Sequence, residues 1–386
     1  VFDFEFQNPT RIVFGKNSVA KLDALVPADA RVLVLFGGSS AERTGTLAEV
    51  RAALGKRERR EFGGIEPNPT YETLMRAVEL VRAEKLNFLL AVGGGSVIDG
   101  TKFVAAAAGF EGDPWRILET FGGAVTSALP FGTVLTLPAT GSEMNHNAVV
   151  TRASTHTKAF FANPLVFPKF SVLDPTKTYT LPSNQLANGV VDAFVHVVEQ
   201  YLTYPVEGLV QDRFAEGLLR TLIEVGPKAV LEPRVDYDTR ANLMWSATMA
   251  LNGVIAAGVP QDWATHLVGH ELTALYGIDH ARTLAIILPA MLGLRRDAKR
   301  AKLLQFAARV WDITDGGEDE RIDQAIEKTR TFFESLGVKT HLSDYNIGAD
   351  AIDGLVAKLE EQGLTKLGER QDVTPTIARR VYEASL

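Results

Sequence analysis

Of the chain's seven histidines, four lie in two short stretches of its second half, in company with a carboxylate. Asp192 and His196 are spaced i, i+4, so on a helix they share one face. His266 and His270 repeat that spacing, and His280 follows ten residues later. One carboxylate and imidazoles from separate elements make a site for Zn2+ or Fe2+, with room left for a substrate oxygen. Any one of these histidines alone reads as structural; the set points to metal. Gly269-His270-Glu271-Leu272 begins like a zinc-protease motif, but the second histidine of that motif would fall on Ala274, so that reading fails. His146, His156 and His341 lack such partners and read as surface or loop residues. The chain has no cysteine, which excludes disulfides, zinc fingers and thiol nucleophiles and leaves His, Asp and Glu to hold any metal.

A second group of residues reads as a phosphate cradle. Gly93-Gly94-Gly95-Ser96 stands where an apolar run ends and a helical stretch begins. Glycines there let backbone N–H groups close on a phosphate, and the helix N-terminus favours its negative charge. The turn is not the usual dinucleotide fingerprint, because Ile98 occupies the place of the third glycine. Nor is it a Walker A loop: Gly95 and Gly100 are correctly separated, but Thr101-Lys102 reverses the order that motif requires. A plain strand–helix turn is the competing explanation. Three consecutive glycines are conformationally costly, and that favours a diphosphate. Asp99 stays open between an exposed first-turn acid that suits the helix dipole and a group facing the ligand.

The elements that must position these residues change rhythm along the chain. Apolar runs at 31–36, 87–92 and 133–137 end in Gly37-Gly38, Gly93-Gly94-Gly95 and Pro138, and read as strands. Between the first two, Leu74, Ala77, Val78, Leu80 and Val81 keep a helical period over 71–85. Continuous apolar strands alternating with helices predict a parallel sheet covered on both faces. Beyond Leu181-Pro182 the strand signals nearly vanish, and 184–203, 209–225, 239–256 and 263–276 read as helices. The expected organisation is a Rossmann-like α/β dinucleotide-binding domain over 1–182 and an all-helical metal and substrate domain over 183–386. A cleft between two such halves, at the strand C-termini, is a natural ligand site.

Composition narrows the class. The 386 residues are 46% hydrophobic and 23% charged, as expected of a globular chain of about two domains. A net charge of −7 argues against a nucleic-acid partner, which needs concentrated positive surface. The one basic run, Lys56-Arg57-Glu58-Arg59-Arg60, reads as a solvated loop before a strand. Residues 1–6 alternate apolar and acidic, which suits a strand and not a signal peptide. No apolar run reaches the ~18 residues of a membrane span, so the expectation is a cytoplasmic enzyme.

Four ordered motifs carry a resemblance. Gly93-Gly94-Gly95-Ser96-Val97-Ile98-Asp99-Gly100-Thr101-Lys102, Pro138-Ala139-Thr140-Gly141-Ser142-Glu143, Asp192-x3-His196 and His266-x3-His270-x9-His280 resemble the iron-containing (group III) alcohol dehydrogenases. The likeness extends from the first strand to beyond residue 370, and is greatest to the branch of butanol dehydrogenases and NADPH-dependent aldehyde reductases. It implies the dehydroquinate synthase-like architecture, a homodimer as the usual minimum, and a divalent metal held by Asp192, His196, His266 and His280. It implies that His270 is a non-ligand histidine near the nicotinamide, a candidate proton relay. It also implies that Gly94, Gly95 and Ser96 cradle the pyrophosphate with Asp99 close by, that Thr136, Thr140 and Ser142 line the cofactor, and that Lys158 contacts a ribose.

One departure bears on cofactor choice. NAD-preferring members carry an aspartate where this chain has Gly38, followed by Ser39 and Ser40. An aspartate there would bond the ribose 2′-OH and repel a 2′-phosphate. Gly37, Gly38 and the two hydroxyls would admit one, and Arg43 could pair with it, with Glu42 a counterweight. The expected reaction is hydride exchange between NADP(H) and a small, largely uncharged aldehyde or primary alcohol, with the metal as Lewis acid and His270 moving the proton. Two rivals stand beside it. A lyase or cyclase of the dehydroquinate synthase type would need basic residues around the metal, and 190–201 and 264–276 contain no Lys or Arg. A non-catalytic NADP-binding protein would be marked by a lost ligand, and none is lost.

Overall fold

The computed structural model describes every residue except His156 and residues 233–235; the reading of His156 as a surface residue lies outside the described residues. The chain divides into two compact units, one of Gln7–Leu181 with Val235–Thr248, the other of Val1–Phe6, Pro182–Arg234 and Met249–Leu386.

The first unit is built on a six-stranded parallel sheet. Its strands are β1 (Arg11–Phe14), β2 (Val32–Phe36), β3 (Arg59–Phe62), β4 (Phe88–Gly94) and β5 (Phe131–Leu137). After β6 (Asn147–Arg152) and β7 (Thr157–Ala162), which pair with each other as an antiparallel ribbon, β8 (Phe170–Leu173) completes the sheet in the order β1-β8-β5-β4-β2-β3. The three runs expected as strands are the interior strands β2, β4 and β5. They read as continuous apolar runs because both faces are covered: Val32, Val34, Leu90 and Val92 enter one core cluster, and Leu33, Leu35, Leu89 and Ala91 enter the other. The helix expected over 71–85 is Tyr71–Ala83, and the Thr70 hydroxyl accepts from Thr73 N–H at its start.

The strand order reverses between β2 and β4. The chain leaves β2 for β3 on one side, then returns to place β4 on the other, pairing Phe36 with Val92. At such a switch point the two connections depart in opposite directions and leave a crevice at the strand C-termini. The turn at residues 37–40 and the glycine turn at 93–96 both leave from it.

One expectation is overturned and another shifts its boundary. Residues 1–6 form no strand: Phe2 N–H reaches the Gly258 carbonyl (2.8 Å) and the Val1 amino group the Val206 carbonyl (2.6 Å), without a ladder partner. Alternation specifies a face, not the neighbour that a strand must pair with. The basic run is a loop before a strand only over 56–58, because the strand begins within it. Arg59 and Arg60 belong to the edge strand β3, where charge blunts an exposed edge, and Arg57 donates to the carbonyls of Asp23, Val26, Pro27 and Leu54.

The second unit is helical, with Ser183–Tyr201, Leu209–Leu231, Ala264–Tyr276 and His280–Leu294 among its long elements. Ser183–Tyr201 is buried at every position from Leu186 to Tyr201, the pattern of a helix at the centre of a bundle. Leu209–Leu231 runs past the expected end at 225 and through Pro227. The helix expected over 239–256 is Tyr237–Ala250.

A buried cation organises the loop after β5. Lys102, on the helix Gly95–Ala107, is 0% exposed and donates to Ser142 Oγ (2.7 Å), Asn145 Oδ1 (2.8 Å) and the Asn147 carbonyl (2.7 Å). Asp99 sits beside it, accepting from Ser142 Oγ (2.6 Å) and Val149 N–H (3.0 Å). Glu143, also fully buried, accepts from the Thr248 hydroxyl at 2.6 Å. Burial pushes the Asp99 and Glu143 carboxyls up, while the charge on Lys102 opposes it. Burial pulls the Lys102 ammonium down to about 8, against the opposing pull of Asp99 and Glu143.

The denatured chain takes up this proton near 10.5 and the folded chain near 8, so between them the denatured state binds more protons. The Lys102 contribution to stability therefore falls as pH drops through that window. Urea unfolding of the wild type against Lys102→Met should show the stability difference shifting towards the wild type from pH 8 to pH 10. A difference independent of pH would mean that Lys102 does not titrate in this window.

Candidate functional site

The helical unit gathers five of the residues singled out from the sequence. One turn separates Asp192 from His196 on Ser183–Tyr201, and both point into the core at 3% and 5% exposure. Donor atoms of Asp192, His196 and His266 all lie within 4.8 Å of one another. His196 Nδ1 is 3.8 Å and His280 Nε2 3.7 Å from Asp192 Oδ1. Ligands about 2.1 Å from a tetrahedral ion stand roughly 3.4 Å apart, so these side chains are spaced to share one. The imidazoles of His196 and His266 stack at 4.7 Å, and His266 and His280 lie 5.2 Å apart. His270, one turn beyond His266 and half-buried, has its ring 5.3 Å from that of His280.

Local structure explains the convergence. Asp279 precedes the helix His280–Leu294 and its carboxylate accepts from Asn188 Nδ2 (3.0 Å), one turn before Asp192. That bond ties the start of the His280 helix to the helix carrying Asp192. Trp263, at φ 67°, turns the chain into Ala264–Tyr276 and sets its ring edge-on to His196 and His266. Asp192 Oδ1 is buried and accepts no hydrogen bond. A buried carboxylate oxygen without a donor calls for a cation, and the three-nitrogen, one-oxygen donor set suits Fe2+ or Zn2+ alike. The residues present fit a divalent metal.

Sequence reasoning missed Glu199. It is 2% exposed and accepts from Thr265 N–H (2.6 Å) and His266 N–H (3.3 Å), while His266 Nδ1 bonds the same carboxylate. Burial, then the charge of Asp262, pushes its carboxyl up, and the N–H groups and Lys299 oppose that. The signal was present: 192, 196 and 199 are i, i+4 and i+7, one stripe of one helix.

In the α/β unit the glycine turn is a steric necessity. Gly94 precedes the helix Gly95–Ala107, and no side chain caps its first turn. A Cβ on Gly95 would lie 2.5 Å from Thr140 Cγ2 and Oγ1, one on Gly94 3.0 Å from Leu137 Cβ, and one on Gly93 2.5 Å from Val97 Cγ2. The helix start and the end of β5 therefore approach more closely than any other residue allows, and uncapped N–H groups remain for an anion. These residues fit a dinucleotide pyrophosphate. Ser96 Oγ accepts from Asn68 N–H (3.3 Å), and Thr140 Oγ1 from Ser142 N–H (3.2 Å).

The other expected cofactor residues divide. Thr136 is half-buried near the end of β5. Asp99 and Ser142 bond each other, so Asp99 is no exposed first-turn acid; their side chains hold the loop. Lys158 is half-buried on β7, close enough for its charge to pull on Asp99. Gly37 follows β2, and its carbonyl accepts from Gly64 N–H (2.8 Å). Gly38, Ser39 and Ser40 are exposed, and a Cβ on Gly38 would meet nothing within 4 Å. Arg43 is exposed, while Glu42 is engaged by Arg51 at 2.8 Å. Outside these sites, His146 lies in a loop against the Phe167 ring (4.7 Å), and the His341 side chain is 42% exposed.

Comparison with known proteins agrees with this geometry. Residues 9–175 match the family model described as iron-containing alcohol dehydrogenase, and residues 186–380 the C-terminal model of the Fe-containing alcohol dehydrogenase family. The NADPH-dependent aldehyde reductase YqhD of Escherichia coli is 61% identical over 385 residues, 99% of each chain. A probable NADH-dependent butanol dehydrogenase 1 of Bacillus subtilis is 42% identical over the full length of both. The crystal structure of the E. coli protein covers 100% of this chain and 99% of its own, with a TM-score of 0.98 at 61% identity. That of the NADH-dependent butanol dehydrogenase A of Thermotoga maritima covers 100% and 98%, with a TM-score of 0.94 at 34% identity. The chain belongs to the iron-containing alcohol dehydrogenase family.

Proposed function

We propose that this chain is a metal-dependent, NADP(H)-linked alcohol dehydrogenase and aldehyde reductase for small, largely uncharged aldehydes and primary alcohols. The observation that carries the reading is the cluster of Asp192, His196 and His266, with His280 against the Asp192 carboxylate and His270 beside His280. The full-length likeness to an aldehyde reductase and to butanol dehydrogenases supports it and disfavours the dehydroquinate synthase-type and non-catalytic alternatives. In this reading residues 1–182 bind the dinucleotide and 183–386 hold metal and substrate.

When bound, the metal supplies a Lewis acid at the carbonyl oxygen and the nicotinamide supplies or accepts the hydride. The protein does the rest. Asp192, His196, His266 and His280 hold the ion and leave room for the substrate oxygen, while Gly94, Gly95 and Ser96 receive the pyrophosphate. Reduction consumes one hydride and one proton, and His270, whose imidazole can both give and take a proton, delivers it directly or through water.

Metal-stripped protein should not turn over butyraldehyde with NADPH, and Fe2+ or Zn2+ should restore it. His280→Ala should lose metal and turnover together. His270→Ala should keep its metal and lose about 100-fold or more in kcat. Full metal occupancy in His280→Ala, or an unchanged kcat in His270→Ala, overturns the corresponding assignment.

The open, uncharged turn at Gly38, Ser39 and Ser40 supports a preference for NADPH, because no carboxylate there repels a 2′-phosphate. Gly38→Asp adds one where a Cβ meets nothing within 4 Å, and should shift the NADPH-to-NADH ratio of kcat/KM by about 30-fold, or ~2 kcal/mol, towards NADH. Equal kcat/KM for both cofactors in the wild type would end this part of the reading.

A homodimer is part of the same proposal. Phe2, Phe4 and Phe6 are 49%, 56% and 45% exposed, and Leu209 and Val210 59% and 63%, apolar surface that a partner would cover. Light scattering should give twice the chain mass; the mass of one chain would refute it.

A further inference from the structure

We infer that Glu199 is a positioning residue that fixes the His266 imidazole with its proton on Nδ1, and thereby sets how tightly the centre holds its metal. The inference rests on the proposed metal site, but it assigns a role to a residue outside the four ligands.

Glu199 reaches the site from the central helix, the third member of the stripe that carries Asp192 and His196. Its carboxylate meets the first turn of Ala264–Tyr276 at three donors: the backbone N–H of Thr265, the backbone N–H of His266 and the ring Nδ1 of His266. Both carboxylate oxygens already accept from backbone N–H groups, so the ring nitrogen that faces them is a further donor and carries the proton. The lone pair is then on Nε2, at the opposite edge of the ring, and Nε2 is the atom left to bind metal. A carboxylate on the far nitrogen also makes an imidazole a stronger donor to the ion and fixes its plane.

The surroundings hold Glu199 still. Its carbonyl accepts from Asp262 N–H (2.9 Å), and the Asp262 carboxylate accepts from Ala264 N–H (3.0 Å), one residue before Thr265. Lys299, 2% exposed in its side chain, bonds Asp262 (2.7 Å), Glu369 (2.9 Å) and the Leu202 carbonyl (2.6 Å). Lys299 thus ties two carboxylates, Asp262 and Glu369, into the loop that carries Ala264 and Thr265, so the acceptor and the donors of the Glu199 contact are anchored together. A purely structural account would make Glu199 only a cap for the helix Ala264–Tyr276. A cap needs only to accept from a backbone N–H; it does not need the contact with the ring.

Two measurements separate these accounts. The first is zinc affinity by chelator competition in the wild type and in Glu199→Gln, with urea stability of the metal-free forms alongside. Glu199→Gln keeps an acceptor for the backbone donors but removes the charge. It should weaken zinc binding about 10- to 100-fold with little loss of metal-free stability. The second needs no folded variant: in zinc-loaded wild type with 15N-labelled histidine, His266 should show a protonated Nδ1 and a metal-bound Nε2. Zinc affinity within twofold of wild type, a loss of affinity matched by lost metal-free stability, or zinc on Nδ1 overturns the inference while the metal site stands. A wild-type chain that takes up no zinc or iron overturns the metal reading and this inference with it.

Discussion

A carboxylate taken out of water must be met by donors or by cations, at a cost of several kcal/mol if it is not. The helix Ser183–Tyr201 is buried along nearly its whole length, yet it carries Asp192 and Glu199 inward on the stripe of His196. Other elements therefore have to bring partners to it. The first turn of Ala264–Tyr276 arrives with its unpaired N–H groups and with His266, satisfying Glu199. The start of His280–Leu294 arrives through the Asn188–Asp279 bond and places His280 against Asp192. One polar stripe in an apolar helix thus sets the positions of two other helices, and the donor cluster is the place where they meet.

The α/β unit solves a similar problem with the opposite sign. Lys102 is a buried ammonium, and three oxygens of the loop after β5 fold over it while Asp99 and Glu143 supply countercharge. The loop that carries Thr140 and Ser142 is therefore held by electrostatics. The glycine turn beside it is held by sterics, since a side chain on Gly95 would collide with Thr140. Together they fix the loop after β5 against the glycine turn, beside a helix start that no side chain caps. A site that must orient a large anion gains from walls that do not move.

The two turns of the proposed cofactor site differ in kind. The turn at 93–96 is packed to the limit, which suits a diphosphate common to every nicotinamide dinucleotide. The turn at Gly38, Ser39 and Ser40 is open and exposed, so a side chain can be added there without disturbing the packing, which is why the proposed NADPH preference is tested at Gly38.

Much of this was determined by the sequence alone. Period and burial are the same information in β2, β4 and β5, so their apolar runs mark the sheet interior. Helical spacing put Asp192 with His196 and His266 with His270, because 3.6 residues per turn is a local property. Local pattern failed where pairing decides. The alternation at 1–6 names a face but finds no neighbouring strand, and the start of the edge strand β3 is hidden because its first two residues are arginines. Tertiary structure alone decided which distant groups meet. Lys102 finds Ser142 forty residues away, and Glu199 finds His266 sixty-seven residues away. Their chemistry is invisible as spacing, because a buried charge takes its partner from whichever element the packing of the whole core brings within reach.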